Sequence, residues 1–207
     1  MKLWKILIFV LLLSGVIFYF LACRKTVYTN FPPRATGDWV AFGDSLTAGF
    51  GASGGNDYPT LLSKNIGRTI LNKGVPAETT ENALGRVEEI VRLQPRVVLL
   101  CFGGNDGLQQ LPMDKTFANL STIIDRLHES GSFVVLIGVR SASVRDHYAK
   151  SFKTLAAEKN VLYVPNILSG VLGSPNLMSD YVHPNDEGYK VIADRLENFL
   201  NPLLPKL

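Results

Sequence analysis

Short apolar runs alternate with longer segments of helical period along most of this chain. The apolar runs predict five β-strands, at 39–42, 68–72, 96–102, 133–139 and 161–164. The segments of helical period predict helices near 58–66, 79–93, 113–129, 146–159 and 185–200,. Strands that are apolar on both faces and separated by helices form a parallel sheet covered on both sides. The pattern therefore predicts an α/β fold, a three-layer α/β/α sandwich around a five-stranded parallel sheet.

An uncharged stretch precedes this domain. From Ile6 to Cys23 there are 18 residues without a charge, and basic residues bracket them at Lys2, Lys5, Arg24 and Lys25. As a helix, the stretch would be about 27 Å long, close to the roughly 30 Å of a bilayer core. Length and flanking charges disfavour a buried core helix. Three interpretations stay open: an uncleaved membrane anchor, a lipoprotein signal with Cys23 as the lipidated residue, and a cleaved signal peptide.

The composition divides the chain into three parts. Residues 1–25 form a signal-anchor or lipoprotein-type signal segment, the Pro-containing residues 26–37 form a linker, and residues 38–207 form one domain. Residues 1–34 contain five basic and no acidic residues, so the remainder holds 16 basic and 18 acidic residues. A slightly acidic domain offers no electrostatic basis for binding nucleic acid.

The two cysteines indicate neither a disulfide framework nor a metal site. Cys23 belongs to the N-terminal apolar stretch, and Cys101 lies within an apolar run that predicts a buried strand. No Cys/His spacing typical of metal ligation occurs. Cys101 is therefore interpreted as a small core residue.

Two polar motifs directly follow predicted strands. Gly43-Asp44-Ser45-Leu46 follows the first strand, and Gly103-Gly104-Asn105-Asp106 follows the third. Ligands bind at the carboxyl ends of strands in open α/β sheets, so these motifs place a hydroxyl and a side-chain amide where a substrate could meet them. Read singly, each motif is also compatible with an ordinary turn.

A third motif, Asp180-Tyr181-Val182-His183-Pro184-Asn185, precedes the last helix. An Asp three residues before a His can reach the imidazole Nδ1, fix the tautomer and leave Nε2 free to accept a serine proton. The other two histidines, His128 and His147, lie in polar helical segments and are interpreted as solvated surface residues. His183, with Asp180, is therefore the candidate base.

Taken together and in this order, the three motifs resemble those of the GDSL, or SGNH, hydrolase family. The resemblance runs from about Asp38 to Leu203 and is closest to bacterial periplasmic arylesterases, thioesterases and lysophospholipases. It implies that Ser45 is the nucleophile, His183 the general base and Asp180 the orienting carboxylate. It also implies an oxyanion hole made by the backbone N–H of Ser45, the backbone N–H of Ala77 and the side chain of Asn105. Neither a cofactor nor a metal is implied.

The loop that supplies the second oxyanion donor departs from the family pattern. The family has Gly where this chain has Ala77, and Gly74 matches only an earlier Gly position. A main-chain N–H is all that the role requires, and Ala retains it. If the position requires a positive φ, Ala would cost about 1 kcal/mol relative to Gly.

Apolar residues flank the expected site and indicate the kind of substrate. Leu46, Phe50, Leu108, Tyr181 and Val182 are the candidate substrate-binding residues, and Leu111 is nearby. Such a lining favours acyl chains over sugars. The expected substrates are short- to medium-chain acyl esters, with thioesters and lysophospholipids as further candidates, at the periplasmic or extracytoplasmic face of a bacterial membrane.

Two other functions stay open at this point. One retains the chemistry and replaces the substrate with an acetylated cell-wall or surface polysaccharide. The other is a non-catalytic, flavodoxin-like module that binds a small anion at a helix N-terminus. The chain lacks the glycine-rich phosphate-binding motifs typical of such modules, which counts against the second alternative.

Overall fold

The computed structural model describes residues 27–139 and 147–207. Five strands are present in this part of the chain: β1 Trp39–Gly43, β2 Ile70–Gly74, β3 Val97–Cys101, β4 Phe133–Ile137 and β5 Leu162–Val164. Five longer helices accompany them: α2 Tyr58–Ile66, α3 Thr80–Arg92, α5 Met113–Glu129, α6 His147–Lys159 and α7 Asp186–Leu200. Two short helices follow β1 and β3 directly, α1 Ser45–Ala48 and α4 Gly104–Leu108.

The strands form one parallel sheet in the order β2-β1-β3-β4-β5. The chain crosses outward from β1 to β2, returns to β3 and then proceeds to β5. The order therefore reverses next to β1, between the strands that precede the two polar motifs. In open α/β sheets, such a reversal opens a crevice at the carboxyl ends of the strands.

Alternate side chains of the strands enter two separate cores. On one face, Ala41, Leu99 and Val135 pack with residues of α2 and α7, including Leu62 and Leu196. On the other face, residues of β1, β3 and β4 pack with α3, α5 and α6. The three-layer sandwich predicted from the apolar pattern is thus confirmed for the described residues.

The strand and helix predictions agree with the structure, except at element ends. The second strand, predicted at 68–72, lies two residues later, at Ile70–Gly74. Its burial is only partial because β2 is an edge strand, so its apolar pattern is weak. The short helices α1 and α4 were not predicted, since segments of four and five residues carry too little periodicity to detect,.

Residues 27–37, within the predicted linker, contact the domain. The rings of Tyr28 and Phe31 lie 5.8 and 5.6 Å from that of Phe133, at the start of β4. The apolar stretch 6–23, the signal segment 1–25 that contains it and the N-terminal hydrophobic helix predicted there lie outside the described residues. Within residues 27–139 and 147–207, no helix has both the length and the apolar character needed to span a membrane.

Candidate active site

Ser45 is positioned by the end of β1. Gly43 completes the strand, Asp44 caps the short helix α1, and Ser45 is its first residue. The Asp44 carboxylate accepts a hydrogen bond from the Leu46 N–H at 3.0 Å. Because the first N–H groups of a helix have no intrahelical acceptor, the Ser45 N–H is left for another partner. The nucleophile candidate therefore combines an accessible hydroxyl with a backbone donor.

His183 reaches Ser45 from the loop before α7. The Ser45 Oγ lies 3.0 Å from His183 Nε2, and His183 Nδ1 lies 2.8 Å from Asp180 Oδ2. The second oxygen of Asp180 accepts the backbone N–H groups of Val182 and His183 at 2.8 and 2.7 Å. The three residues selected from the sequence thus form one continuous hydrogen-bonded relay.

The hydrogen bond from His183 lowers the pKa of Asp180 to about 2, with the Val182 N–H as the next contribution. Asp180 is therefore ionised at neutral pH and holds a proton on His183 Nδ1. That tautomer leaves the Nε2 lone pair directed at Ser45.

Asp44 is a carboxylate in the opposite environment. It is 2% exposed, and burial raises its pKa to about 7, with Asp106 adding a repulsive contribution. The Leu46 N–H hydrogen bond opposes this rise. A buried carboxyl group thus lies next to the nucleophile.

Asn105 is the second residue of α4, directly beyond β3. Its side-chain amide donates to the Glu78 carbonyl at 2.8 Å, rather than closing a local turn. An amide carries two N–H donors, so one remains for a ligand. The buried Asp106 accepts the Thr80 N–H at 3.0 Å, which joins α4 to the start of α3. The loop between β2 and α3 is therefore held to α4 from two sides.

Ala77 lies in a tight turn between β2 and α3. The Glu78 N–H donates to the Val75 carbonyl at 3.4 Å, with Pro76 and Ala77 as the central residues. Ala77 has φ = +64°. Pro followed by a residue of positive φ is typical of a type II turn, which normally selects Gly at the second position. Ala77 therefore occupies the strained conformation considered in the sequence analysis.

Gly74 has a different role from Ala77. A Cβ at residue 74 would come within 2.1 Å of the Ala48 nitrogen, at the end of α1. Since that neighbour is backbone, only Gly allows β2 to end this close to the serine helix.

A cavity of about 280 Å³ opens at the Ser45–His183 pair. All five predicted substrate-binding residues line it, namely Leu46, Phe50, Leu108, Tyr181 and Val182. So do the relay residues Ser45 and His183 and the oxyanion candidates Ala77 and Asn105. Leu111 is not among the lining residues.

Sequence reasoning missed several residues that line the cavity. Val139, Leu168 and Leu172 are the apolar residues of this set, and Pro76 lines the cavity next to Ala77. Val139 follows β4, and the two leucines lie beyond β5. Their apolar character was visible in the sequence, but nothing in their spacing distinguished them from core residues.

The other two histidines lie outside the cavity. His147 is exposed, as expected. The expectation of a solvated His128 was wrong, because this side chain is half-buried and burial lowers its pKa. Cys101 is fully buried, in agreement with the prediction of a core residue. In the described part of the chain, no group of three or more His, Cys, Asp or Glu side chains could hold a metal ion.

A comparison with family models matches residues 41–191 to the GDSL-like Lipase/Acylhydrolase family. The chain belongs to this family. Relatives of this chain carry esterase and thioesterase names. An arylesterase of Vibrio mimicus is 29% identical over 195 residues, which cover 88% of this chain and 94% of that protein. This GDSL-family protein is accordingly a carboxylic ester hydrolase.

Two further comparisons agree with this assignment. The protein named thioesterase 1/protease 1/lysophospholipase L1 of Escherichia coli K12 is 29% identical over 187 residues, covering 86% of this GDSL hydrolase and 90% of the relative. The crystal structure of AlinE4, an SGNH-hydrolase family esterase, aligns with a TM-score of 0.64 at 30% identity, covering 81% of this chain and 94% of that one.

Proposed function

We propose that this GDSL hydrolase cleaves carboxylic esters and thioesters of short- to medium-chain acyl groups through an acyl-serine intermediate. The observation that carries the proposal is the relay from Asp180 through His183 to Ser45, with distances of 2.8 and 3.0 Å, at the opening of an apolar cavity. The relay supplies a base for the serine, and the cavity supplies apolar surface for the acyl group.

In the first half of the reaction, His183 Nε2 accepts the proton of Ser45 Oγ as that oxygen bonds to the acyl carbon. The carbonyl oxygen becomes an oxyanion, which the N–H groups of Ser45, Ala77 and Asn105 stabilise. When the tetrahedral intermediate collapses, the bond to the leaving group breaks and His183 returns the proton to the departing alkoxide or thiolate. The product is the acyl-serine.

In the second half, water replaces the alcohol or thiol. His183 Nε2 accepts a proton from the water as its oxygen bonds to the acyl carbon. The second tetrahedral intermediate expels Ser45 Oγ, which recovers its proton from His183, and the carboxylic acid leaves. Asp180 stabilises the imidazolium in both halves because its low pKa keeps it ionised,.

The size and chemistry of the cavity support an acyl chain of limited length. Its volume of about 280 Å³ is near the lower end of ligand pockets, about 300–1,000 Å³,. Leu46, Leu168 and Leu172 contribute apolar walls. Aryl esters, thioesters and lysophospholipids all present an acyl carbonyl next to such a chain.

A polysaccharide O-acetyl esterase is not favoured by these observations. A cavity lined mainly by aliphatic side chains offers little for sugar hydroxyl groups,. The compared relatives have arylesterase and thioesterase/lysophospholipase names. Membership of a hydrolase family and the Ser45–His183 contact also count against a non-catalytic binding module.

The N-terminal segment supports a location at the extracytoplasmic, periplasmic side of a bacterial membrane. The apolar stretch 6–23 would serve as an anchor, or Cys23 would carry a lipid. In this proposal, residues 1–25 form the signal or anchor segment, residues 26–37 the linker and residues 38–207 the hydrolase domain.

The test is hydrolysis of p-nitrophenyl esters from acetate to palmitate by the full chain and by Ser45→Ala. We expect turnover to peak between butyrate and octanoate and to fall by about 10⁴-fold or more in the variant. Ser169→Ala, which removes an exposed hydroxyl away from the relay, serves as the matched control. Activity on acetate alone would favour the polysaccharide alternative, and residual turnover equal to that of the control would exclude Ser45 as the nucleophile.

A second variant tests the acyl-binding surface. Leu172→Trp adds volume to the cavity wall, so octanoate turnover should fall by about tenfold or more relative to acetate. Equal losses on both esters would indicate that Leu172 lies outside the acyl path.

A further inference from the structure

The first described residues run along the edge of the sheet where the strands begin. The Thr29 N–H donates to the Asn160 carbonyl just before β5, at 2.9 Å. The Arg34 N–H donates to the Gly131 carbonyl just before β4, at 3.0 Å, and Gly37 continues the path towards β1. We call this side of the domain the N-terminal edge. Residues 27–37 are fixed to it by hydrogen bonds at several points.

The candidate active site lies at the opposite edge. Ser45 and Asn105 follow the last residues of β1 and β3. Both strands have five residues, so the two edges are about 16 Å apart along the strands, before loops are added,. The opening of the cavity therefore faces away from the N-terminal edge.

Very little chain separates the apolar N-terminal stretch from this edge. Four residues lead from Cys23 to Val27, and they span at most about 14 Å when fully extended,. This limit is the same for an anchor that ends at Cys23 and for a lipid attached to Cys23. Either form of attachment would hold the N-terminal edge next to the bilayer.

The exposed charges of the domain agree with that orientation. Arg34, Arg68, Arg92 and Lys206 are exposed and lie at the N-terminal edge. Arg92 is in the last turn of α3, Arg68 precedes β2, and the Lys206 Nζ lies 5.9 Å from the Phe31 ring. Asp38, Glu129 and Glu158 are exposed acidic residues of the same edge, and Glu129 forms an ion pair with Arg126. With Arg24 and Lys25 of the adjoining segment, the basic residues outnumber the acidic ones, and this excess would attract an anionic bilayer,.

At the opposite edge, the exposed acidic residues outnumber the basic residues Lys73 and Lys115. The helices run back from the carboxyl ends of the strands, so their first turns lie near the cavity and carry Glu81, Asp114 and Glu187. An anionic bilayer would repel this edge. Charge and chain length therefore favour one orientation.

We propose that the N-terminal edge of this GDSL hydrolase docks on the anionic bilayer that holds its N-terminal segment, and that the cavity opens towards the aqueous phase. This inference rests on the membrane attachment proposed above. Its consequence is that acyl substrates reach Ser45 from water or from a facing surface, rather than laterally from the bilayer that holds the enzyme.

The apolar rim of the cavity defines the competing orientation. Phe50, Leu108 and Tyr181 are 53, 56 and 99% exposed. If this rim inserted into the same bilayer, the domain would have to turn over, and the four residues after Cys23 would have to span its height. Their reach of about 14 Å is shorter than the strands alone.

The test compares two single-cysteine variants of the full chain in vesicles of phosphatidylethanolamine and phosphatidylglycerol. Thr36→Cys marks the N-terminal edge and Gln109→Cys marks the cavity edge, and both parent residues are exposed. A bulky maleimide reagent reports access, with the parent chain correcting for Cys23 and the buried Cys101. We expect Thr36→Cys to react about tenfold more slowly in vesicles than in detergent, and Gln109→Cys to react equally in both.

Charge-reversal variants then test whether the basic residues of the N-terminal edge cause the protection. Arg68→Glu with Lys206→Glu should abolish the protection of Thr36→Cys, since each basic group near an anionic bilayer contributes about a fivefold preference. Lys73→Glu with Lys115→Glu, at the other edge, gives the same change in net charge and should leave the protection intact. Protection in zwitterionic phosphatidylcholine vesicles should be weaker than in anionic ones.

Protection of Gln109→Cys, or equal reaction of both sites in vesicles and detergent, would overturn the proposed orientation. So would failure of the full chain to float with vesicles, which would also remove the membrane attachment. Turnover of p-nitrophenyl butyrate in each variant reports the esterase separately, so failure of the orientation and failure of the proposed chemistry are distinguishable.

Discussion

The two halves of the candidate active site are built in different ways. The serine half consists of Asp44 and Ser45, which continue a strand that is buried along its whole length. The histidine half consists of residues 178–185, a loop in which Ser179, Asp180 and Tyr181 are exposed. The serine is therefore positioned by the packing of the sheet. The histidine is positioned by hydrogen bonds within its own loop.

The two aspartates show what the difference implies. Each accepts a backbone N–H two residues ahead, at Leu46 and at Val182. Burial raises the pKa of Asp44 to about 7, whereas the hydrogen bond to His183 lowers that of Asp180 to about 2. With the same local contact, ionisation of the buried Asp44 costs stability, whereas the exposed Asp180 is readily kept ionised. Two variants separate the roles of these aspartates, and two more test the oxyanion donors.

Asp180→Asn should have the largest effect. The amide oxygen can still accept the loop N–H groups, but an amide donor placed at His183 Nδ1 favours the wrong tautomer. We expect kcat to fall by about 10⁴-fold, with little change in the melting temperature because Asp180 is exposed. Turnover of p-nitrophenyl butyrate and thermal unfolding measure the two effects. Asp194→Asn, on the exposed part of α7, is the control, and a loss below tenfold would contradict the assigned role.

Asp44→Asn should act on stability and its pH dependence. The folded state raises this pKa from 3.8 to about 7, so it binds more protons than the unfolded state within that interval. The contribution of Asp44 to the unfolding free energy of the wild type is therefore fully present below pH 3.8 and is lost as the pH rises towards 7. The total loss is up to about 4 kcal/mol. Asn retains an acceptor for Leu46 and does not titrate.

Denaturant unfolding of both proteins between pH 4 and 8 measures this contribution. The difference in unfolding free energy, variant minus wild type, should increase with pH. A difference independent of pH would show that Asp44 does not titrate in this interval. The pH dependence of stability that Asp180 contributes has the opposite sign. Its stabilisation is present above pH 3.8 and is lost as the pH falls towards 2,.

Asn105→Ala should remove one oxyanion donor while leaving the relay intact. We expect kcat to fall by about 10²–10³-fold with little change in KM, because the donor acts most strongly in the transition state. Some loss of stability is also expected, since the Glu78 carbonyl loses its donor. Asn198→Ala, at an exposed position of α7, is the control. A change confined to KM would assign Asn105 to ground-state binding instead.

Ala77→Gly should have the smallest effect. Gly relieves the positive φ of 64°, and the gain is partly offset by the greater freedom of Gly in the unfolded chain,. We expect an increase in unfolding free energy of about 0.5–1 kcal/mol and a kcat within about threefold of wild type. A loss of stability would show that the turn does not strain Ala.

The sequence by itself determined the order of elements and the chemistry-bearing residues. Apolar runs identified β1, β3 and β4 most clearly, because strands buried on both faces are distinct from amphipathic helices,. The Asp180–His183 contact was also accessible from sequence, since both residues lie within one short loop. These features depend on neighbours that are close along the chain.

Tertiary structure decided what depends on distant neighbours. Ser45 and His183 are 138 residues apart in the chain and meet only because α7 packs on one face of the sheet that contains β1. The same packing buries Asp44 and shifts its pKa, and it brings Leu168 and Leu172 to the cavity. Contacts of this kind leave no periodic signal in a single sequence, because packing selects them by shape and burial rather than by spacing along the chain.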